Sequence, residues 1–176
     1  MGVERGPGTD AATDSDEYRR VLDENRRYVE SFNRSALTAR PLSRLAILAC
    51  MDARLDVEKA LGLRTGDAHL IRNAGGLATD DAIRSIIVSQ ERLGTAEVLV
   101  IGHTECGLEG ADEAEMRDHL EARTGRRLEI DFGSFPDLEA SVRAQVGRLR
   151  AHSWIRPVPI HGLIFDVATG GLSEVV

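Results

Sequence analysis

The sequence predicts an α/β protein whose central sheet is mostly parallel and is flanked by helices. Apolar runs of strand length occur at residues 42–49, 68–72 and 98–101. Between and around them lie segments in which apolar residues recur every three or four positions, which is the spacing of an amphipathic helix. Because strands that alternate with helices generally pair in parallel, this pattern favours a parallel sheet.

The first helix is predicted at residues 18–32. Its apolar residues form one stripe, broken only by an asparagine, while arginines occupy the other faces. The stripe consists of Tyr18, Val21, Leu22, Asn25, Tyr28, Val29 and Phe32. Residues 1–16 are Gly-rich and acidic, lack the apolar core of a signal peptide, and predict a mobile tail. We expect residues 17–176 to form a single domain.

The next elements are defined by their boundary residues. After the first predicted strand at residues 42–49, Asp56 has the position of an N-cap for a short helix that ends at Gly62. A second short strand follows at residues 68–72. The Asn-Ala-Gly-Gly sequence at residues 73–76 predicts a loop.

The second half of the chain continues the alternation. Thr79 precedes a strongly amphipathic helix that Gly94 closes, and the third strand is predicted at residues 98–101. Three elements complete the prediction: a helix in the second half of the acidic segment 108–125, an amphipathic helix at 137–152 and a hairpin at 162–176.

Composition excludes several classes of protein. The chain has 176 residues, which is enough for one hydrophobic core. Its net charge is −7 and its pI is about 5.3, which argues against a nucleic-acid or anionic-membrane surface. No apolar run approaches the length of a membrane span. We therefore expect a cytoplasmic protein that acts on a small molecule, with no nucleic-acid or membrane partner.

Metal-ligating residues come directly after two of the predicted strands. Cys50 follows the first strand, and His103 and Cys106 follow the third. If the strand order is 2-1-3, the chain reverses direction between strands 1 and 3. The crevice at the carboxyl ends of those strands is where such sheets bind ligands. Cys50, His103 and Cys106 are therefore expected to meet there.

Two thiolates and one imidazole suit tetrahedral zinc, and three protein ligands leave a fourth position for water, as in a catalytic site. Asp52 is the nearest possible fourth ligand. Other interpretations remain open. A buried cysteine is often only a small apolar residue, and the two cysteines could be a redox pair, although there is no C-x-x-C. Asp52 and Arg54 are also compatible with an ordinary surface ion pair.

The combined motifs resemble those of the β-class carbonic anhydrases. They are C-x-D-x-R at residues 50–54 and H-x-x-C at residues 103–106. The resemblance extends over residues 42–107, includes Arg-Asn-Ala-Gly at residues 72–75, and is greatest with the short bacterial members. It implies one Zn²⁺ per chain, a dimer or tetramer, and an N-terminal helix that packs on a partner subunit.

The resemblance also implies a role for each site residue. Cys50, His103 and Cys106 would bind zinc, which lowers the pKa of a bound water from about 15.7 towards roughly 7. Asp52 would orient that nucleophile, and Arg54 would hold Asp52 away from the metal. If Arg54 released it, Asp52 could become the fourth ligand of a closed state.

The implied reaction is the reversible hydration of carbon dioxide to bicarbonate and a proton, a lyase activity. Backbone N–H groups of Gly75 and Gly76 are candidates to stabilise the developing oxyanion. Two departures from the family affect the pocket: Ala53 stands where serine is common, and an acidic stretch follows Cys106. No histidine can be assigned as a proton shuttle.

Two alternative functions remain open at this point. Some proteins with this ligand set hydrolyse carbonyl sulfide or carbon disulfide, and the motifs do not separate those substrates from carbon dioxide. A non-catalytic zinc-binding interaction module, with the acidic segment 109–121 as its partner surface, is the third possibility. The Asp52–Arg54 pair argues against that module, because a structural site has no need of a carboxylate held back from the metal.

Overall fold

The structure is a computed structural model that describes residues 15–33 and 37–176. The chain divides into two compact units, residues 1–37 and 38–176. Most of the predicted tail lies outside the described residues, and the assignment of residues 17–176 to a single domain stays a prediction.

Helix α1 (Asp16–Ser31) makes up most of the described part of the first unit. The Ser15 side chain accepts a hydrogen bond from the backbone N–H of Tyr18 at 3.1 Å and so caps the helix. None of its residues is buried. The apolar residues of the predicted stripe are all exposed: Tyr18, Val21, Leu22, Tyr28, Val29 and Phe32.

The second unit contains a five-stranded sheet of order β2-β1-β3-β4-β5. The strands are β1 (Leu45–Cys50), β2 (Ala68–Asn73), β3 (Glu97–His103), β4 (Ile160–Phe165) and β5 (Leu172–Glu174). The first four pair in parallel, and β4 pairs with β5 as an antiparallel hairpin. The mostly parallel sheet, the 2-1-3 order and the C-terminal hairpin are thereby confirmed.

The remaining elements are α2 (Val57–Ala60), a 3₁₀ turn (Ala74–Gly76), α3 (Asp80–Leu93), α4 (Glu113–Thr124) and α5 (Leu138–Ala151). The side chains of Asp56, Thr79, Asp112 and Asp137 each accept a backbone N–H at the start of a helix. Left-handed Gly94 ends α3, as the sequence predicted. None of the described helices is long and apolar enough to cross a membrane.

The sheet separates two apolar clusters. On one side, Leu48 and Val100 belong to a cluster with Ile86 of α3 and Leu149 of α5. On the other, a second cluster contains Ile47, Ala49, Cys50, Leu55, Val57, Ile101, Cys106 and Phe135. The second cluster places both cysteines in a buried, apolar environment at the carboxyl edge of the sheet.

Several strand boundaries differ from the prediction. The first strand starts at Leu45, because Arg44 adopts a φ of 55° and its N–H donates to the Pro41 carbonyl, which makes a turn. Both neighbouring strands run further than predicted, so that Cys50 and His103 are the last residues of β1 and β3. Pairing of His103 with Phe165 extends β3, a long-range contact that local apolarity does not reveal.

Candidate metal centre

The side chains of Cys50, His103 and Cys106 lie together at the carboxyl ends of the two central strands. Their ligand atoms are all within 4.8 Å of one another, and all three residues are buried. Within residues 15–33 and 37–176, no other group of three or more His, Cys, Asp or Glu side chains meets these criteria for a metal site. Parallel pairing of β1 with β3 produces this proximity, and the turn after β3 adds Cys106.

The tautomer of His103 is set by its neighbour. Its Nδ1 lies 2.9 Å from the carbonyl oxygen of Thr104. Because a carbonyl only accepts, Nδ1 carries the hydrogen and Nε2 presents a lone pair. This Nε2 is buried and has no hydrogen-bond partner among the described residues.

An unpaired buried nitrogen is costly, and metal coordination would satisfy it. Together with two thiols it gives a Cys₂His donor set, which suits a soft, tetrahedral divalent metal. Burial raises the pKa of the Cys106 thiol, and the neighbouring Cys50 adds to the effect. Metal binding at this centre therefore has to release thiol protons.

Asp52 and Arg54 form a bidentate pair beside the three ligands. Arg54 Nε donates to Asp52 Oδ1 and Nη2 donates to Oδ2, each at 3.0 Å. The backbone N–H of Arg54 donates to Oδ1 at 2.9 Å. These bonds hold the pKa of the Asp52 carboxyl well below its usual range. Asp52 Oδ2 lies 3.9 Å from His103 Nε2, so the ionised carboxylate is close to the centre and is held by Arg54.

Glu105 also binds Arg54, and the sequence reasoning did not identify it. Arg54 Nη1 donates to Glu105 Oε2 at 2.7 Å, and Nη2 donates to the Glu105 carbonyl at 3.1 Å. The only available signal was an acidic residue between His103 and Cys106. Glu105 contacts Arg54 from a left-handed backbone conformation, with a φ of 57°. Glutamate rarely adopts this conformation, so the sequence did not predict the contact.

Arg72 supports the backbone of the same segment. Its Nε donates to the carbonyl of Cys50 at 2.9 Å, and its Nη2 donates to the carbonyl of Asp52 at 2.7 Å. The sequence offered only a role in a turn for this residue. The structure shows that Arg72 of β2 binds the backbone carbonyls of Cys50 and Asp52, the residues on either side of Met51.

Gly76 allows the chain to pass close behind Cys50. A Cβ at this position would lie 3.0 Å from the backbone N of Cys50 and 3.2 Å from the carbonyl O of Ile101, and φ is +63°. Gly75, with a φ of +77°, faces Leu108. The predicted contribution of these two glycines to an oxyanion site stays a prediction.

The remaining histidines make structural contacts or lie apart from the centre. His69 Nδ1 lies 2.7 Å from Ser89 Oγ, and its Nε2 lies 2.9 Å from the Ala39 carbonyl. His161 Nε2 of β4 lies 3.3 Å from Glu97 Oε1 of the neighbouring strand β3. Neither belongs to the Cys50, His103 and Cys106 group.

The structure combines a mostly parallel sheet with a Cys-His-Cys set and a carboxylate bound by arginine, all at the carboxyl ends of the strands. This combination is that of an α/β metalloenzyme. A family model described as carbonic anhydrase matches residues 45–172. The chain belongs to the carbonic anhydrase family, in its β class. The resemblance drawn from the two motifs is confirmed.

The relatives of this chain are named for two different activities. Beta-carbonic anhydrase 1 of Mycobacterium tuberculosis is 40% identical over 164 residues, which cover 93% of this chain and 98% of that protein. A carbon disulfide hydrolase of Acidithiobacillus thiooxidans is 38% identical over 153 residues, which cover 73% of this chain and 75% of that protein.

Solved structures agree with the fold. A carbonic anhydrase from Streptococcus mutans superposes with a TM-score of 0.87 at 39% identity, covering 93% of this chain and 100% of that one. Tetrameric β-carbonic anhydrases of Sordaria macrospora share the fold, with a TM-score of 0.67 at 18% identity over 91% of this chain and 97% of that one. Structural neighbours of this chain thus include oligomers.

Proposed function

We propose that each chain binds one Zn²⁺ through Cys50, His103 and Cys106 and catalyses the reversible hydration of carbon dioxide. One observation carries the proposal. Among the described residues, the buried lone pair of His103 Nε2 has no hydrogen-bond partner, yet it lies among two thiols and beside a carboxylate. Membership of the carbonic anhydrase family supports the same reaction.

Bound zinc supplies a Lewis acid that brings the pKa of a water close to neutrality. Asp52 would accept a hydrogen bond from the attacking water and orient the lone pair of that water towards the substrate carbon. It remains an acceptor throughout the neutral range, because Arg54 holds its pKa low. The two hydrogen bonds from Arg54 also fix the plane of the carboxylate.

The same carboxylate would be the fourth ligand in a closed state. Asp52 Oδ2 is 3.9 Å from His103 Nε2, so Asp52 could coordinate a metal held by that histidine if Arg54 released it. With Asp52 bound by Arg54, Cys50, His103 and Cys106 would hold the metal, and water could take a fourth position. Gly75 and Gly76 remain our candidates for oxyanion donors on the substrate side.

Hydrolysis of carbon disulfide or carbonyl sulfide is the second candidate function. The carbon disulfide hydrolase relative is the observation that favours it. The attack on carbon is the same, and the difference lies in which linear molecule the pocket admits.

The deciding experiment is a metal analysis of the purified chain followed by three assays on one zinc-loaded preparation. We expect close to one zinc per chain and hydration of carbon dioxide that exceeds hydrolysis of carbonyl sulfide and carbon disulfide. Hydrolysis of either sulfur compound with negligible hydration of carbon dioxide would favour the second function. A chain that binds zinc and shows none of these activities would be a non-catalytic module.

We also propose that the chain assembles with copies of itself through α1. Five apolar side chains of that helix and its C-cap residue Phe32 are exposed, and an exposed apolar stripe is typical of an interaction site. A dimer or tetramer is the assembly that this proposal implies. The acidic composition is compatible with the cytoplasmic location that we propose, which fractionation of cells would test.

A further inference from the structure

We propose that Glu105 is a positioning residue, which holds Arg54 in the orientation that grips Asp52. The proposal rests on the role given to Asp52 in the proposed function. It concerns a residue that is neither a metal ligand nor a member of the Asp52–Arg54 pair. Glu105 lies between the ligands His103 and Cys106, whereas Arg54 follows the ligand Cys50. The contact therefore joins the two segments that supply the metal ligands.

The guanidinium of Arg54 is held on two sides. Its Nε and Nη2 donate to Asp52, while Nη1 and Nη2 donate to the carboxylate and the carbonyl of Glu105. A planar guanidinium bound by only one carboxylate can still pivot about that contact. A second pair of acceptors on a different segment removes this freedom, because both pairs of acceptors must then lie near the plane of the guanidinium.

Exposure shows why a second anchor is needed. The Arg54 side chain is 46% exposed, whereas that of Asp52 is 19% exposed. A half-exposed arginine has access to water and to alternative rotamers, so its hold on Asp52 competes with both. The exposed ion pair with Glu105 contributes little to global stability. Its effect is local, on the rotamer of Arg54.

The backbone of Glu105 supports the same role. Its φ of 57° is an unfavourable conformation for a residue with a side chain. That conformation is what presents the carbonyl and the carboxylate of one residue to one guanidinium. An unfavourable backbone conformation that makes such a contact is typical of a functional position.

Two substitutions separate the carboxylate from the backbone. Glu105→Gly keeps the left-handed turn and the carbonyl without strain, and removes the side chain. Glu105→Gln keeps the shape and removes the charge. Glu58→Gln, an exposed acid on α2, makes the same charge change as Glu105→Gln away from the centre and serves as the control.

With zinc bound, we expect kcat/KM for carbon dioxide hydration to fall about fivefold to tenfold in Glu105→Gly and less in Glu105→Gln, as for loss of a charge-assisted hydrogen bond. Zinc content should stay at the wild-type level. In an Arg54→Ala background, Glu105→Gly should have no further effect. Loss of zinc in both variants, or full additivity with Arg54→Ala, would overturn the proposal.

A second readout does not depend on activity. In ¹H–¹⁵N spectra of the protein with and without metal, the Nε–H of Arg54 can be assigned from the signal missing in Arg54→Lys. We expect its exchange with solvent to be faster in both Glu105 variants and unchanged in Glu58→Gln. An unchanged rate in the Glu105 variants contradicts the proposal. If wild type hydrates no carbon dioxide, the proposed function fails, while these spectra still test the contact.

Discussion

Arg54 donates to both carboxylate oxygens of Asp52 at 3.0 Å, while Asp52 Oδ2 stays 3.9 Å from His103 Nε2. The carboxylate is therefore held by Arg54 beside the candidate metal centre. This arrangement supports the role that we propose for Asp52 and distinguishes it from an ordinary surface ion pair.

Asp52→Asn should keep the metal and lose most of the activity. The amide presents an N–H where the carboxylate accepted a hydrogen bond, so we expect kcat/KM for carbon dioxide hydration to fall about 100-fold. Zinc content and stopped-flow hydration rates check this. Asp118→Asn, an exposed position on α4, is the control. A rate equal to that of wild type would show that Asp52 does not act on the nucleophile.

Cys50→Ser should abolish both metal binding and activity, since it removes one of only two thiols from the ligand set. We also expect wild type to melt at a higher temperature with zinc than after treatment with a chelator, because the metal binds only the folded site. Calorimetry and metal analysis measure these effects. Met51→Leu, at the exposed neighbouring position, should behave as wild type. Full metal content in Cys50→Ser would place the metal elsewhere.

Gly76→Ala should destabilise the protein more than Gly62→Ala. Both glycines have similar φ values, +63° and +66°, so a methyl group costs each about 1–2 kcal/mol of backbone strain. Only at Gly76 does the added Cβ also lie within 3.0 Å of the Cys50 backbone, whereas at Gly62 it meets open space. Urea denaturation should show an extra loss of about 1–3 kcal/mol at Gly76. Equal losses would mean that the backbone can relax around position 76.

Glu113→Gln should lower stability in a pH-dependent way. Glu113 accepts hydrogen bonds from the backbone N–H groups of Ser134 at 2.7 Å and Phe132 at 3.4 Å, and these bonds lower its pKa from the usual 4.5. Because the folded-state pKa is depressed, this stabilisation is present above pH 4.5 and is lost as pH falls through the lower folded-state value.

The difference in urea midpoint between wild type and Glu113→Gln should therefore be constant near neutrality and shrink on acidification below pH 4.5. Glu115→Gln, on the same first turn of α4, controls for the charge at the helix N-terminus. A difference that stays constant into acid would show that the ionised carboxylate of Glu113 is not the source of the stabilisation.

Val29→Arg should reduce self-association. Val29 is the most exposed of the apolar residues on α1, at 63%, and a charge there would have to be buried in any interface that uses the stripe. We expect light scattering to show a smaller assembly than for wild type. Arg27→Glu changes a charge on the opposite face of the same helix and should leave the assembly intact. An unchanged mass for Val29→Arg would exclude α1 as the contact.

Much of the fold and of the candidate site could be predicted because the signals are local. The N-caps Asp56 and Thr79, the C-cap Gly94 and the alternation of strands with helices depend on residues only a few positions apart. The spacing of His103 and Cys106 is equally local. By itself, the sequence therefore determined the class of fold, the helix ends and which side chains were candidates for the metal.

The tertiary structure decided which of those candidates lie together. Cys50 and His103 are 53 positions apart, and only the pairing of β1 with β3 brings their ligand atoms within 4.8 Å. The turn at Arg44 and the contact of Glu105 with Arg54 require left-handed conformations that non-glycine residues rarely adopt. The left-handed conformation is unfavourable for the residue itself, and long-range contacts offset that cost. Short-range sequence patterns therefore could not predict these two conformations.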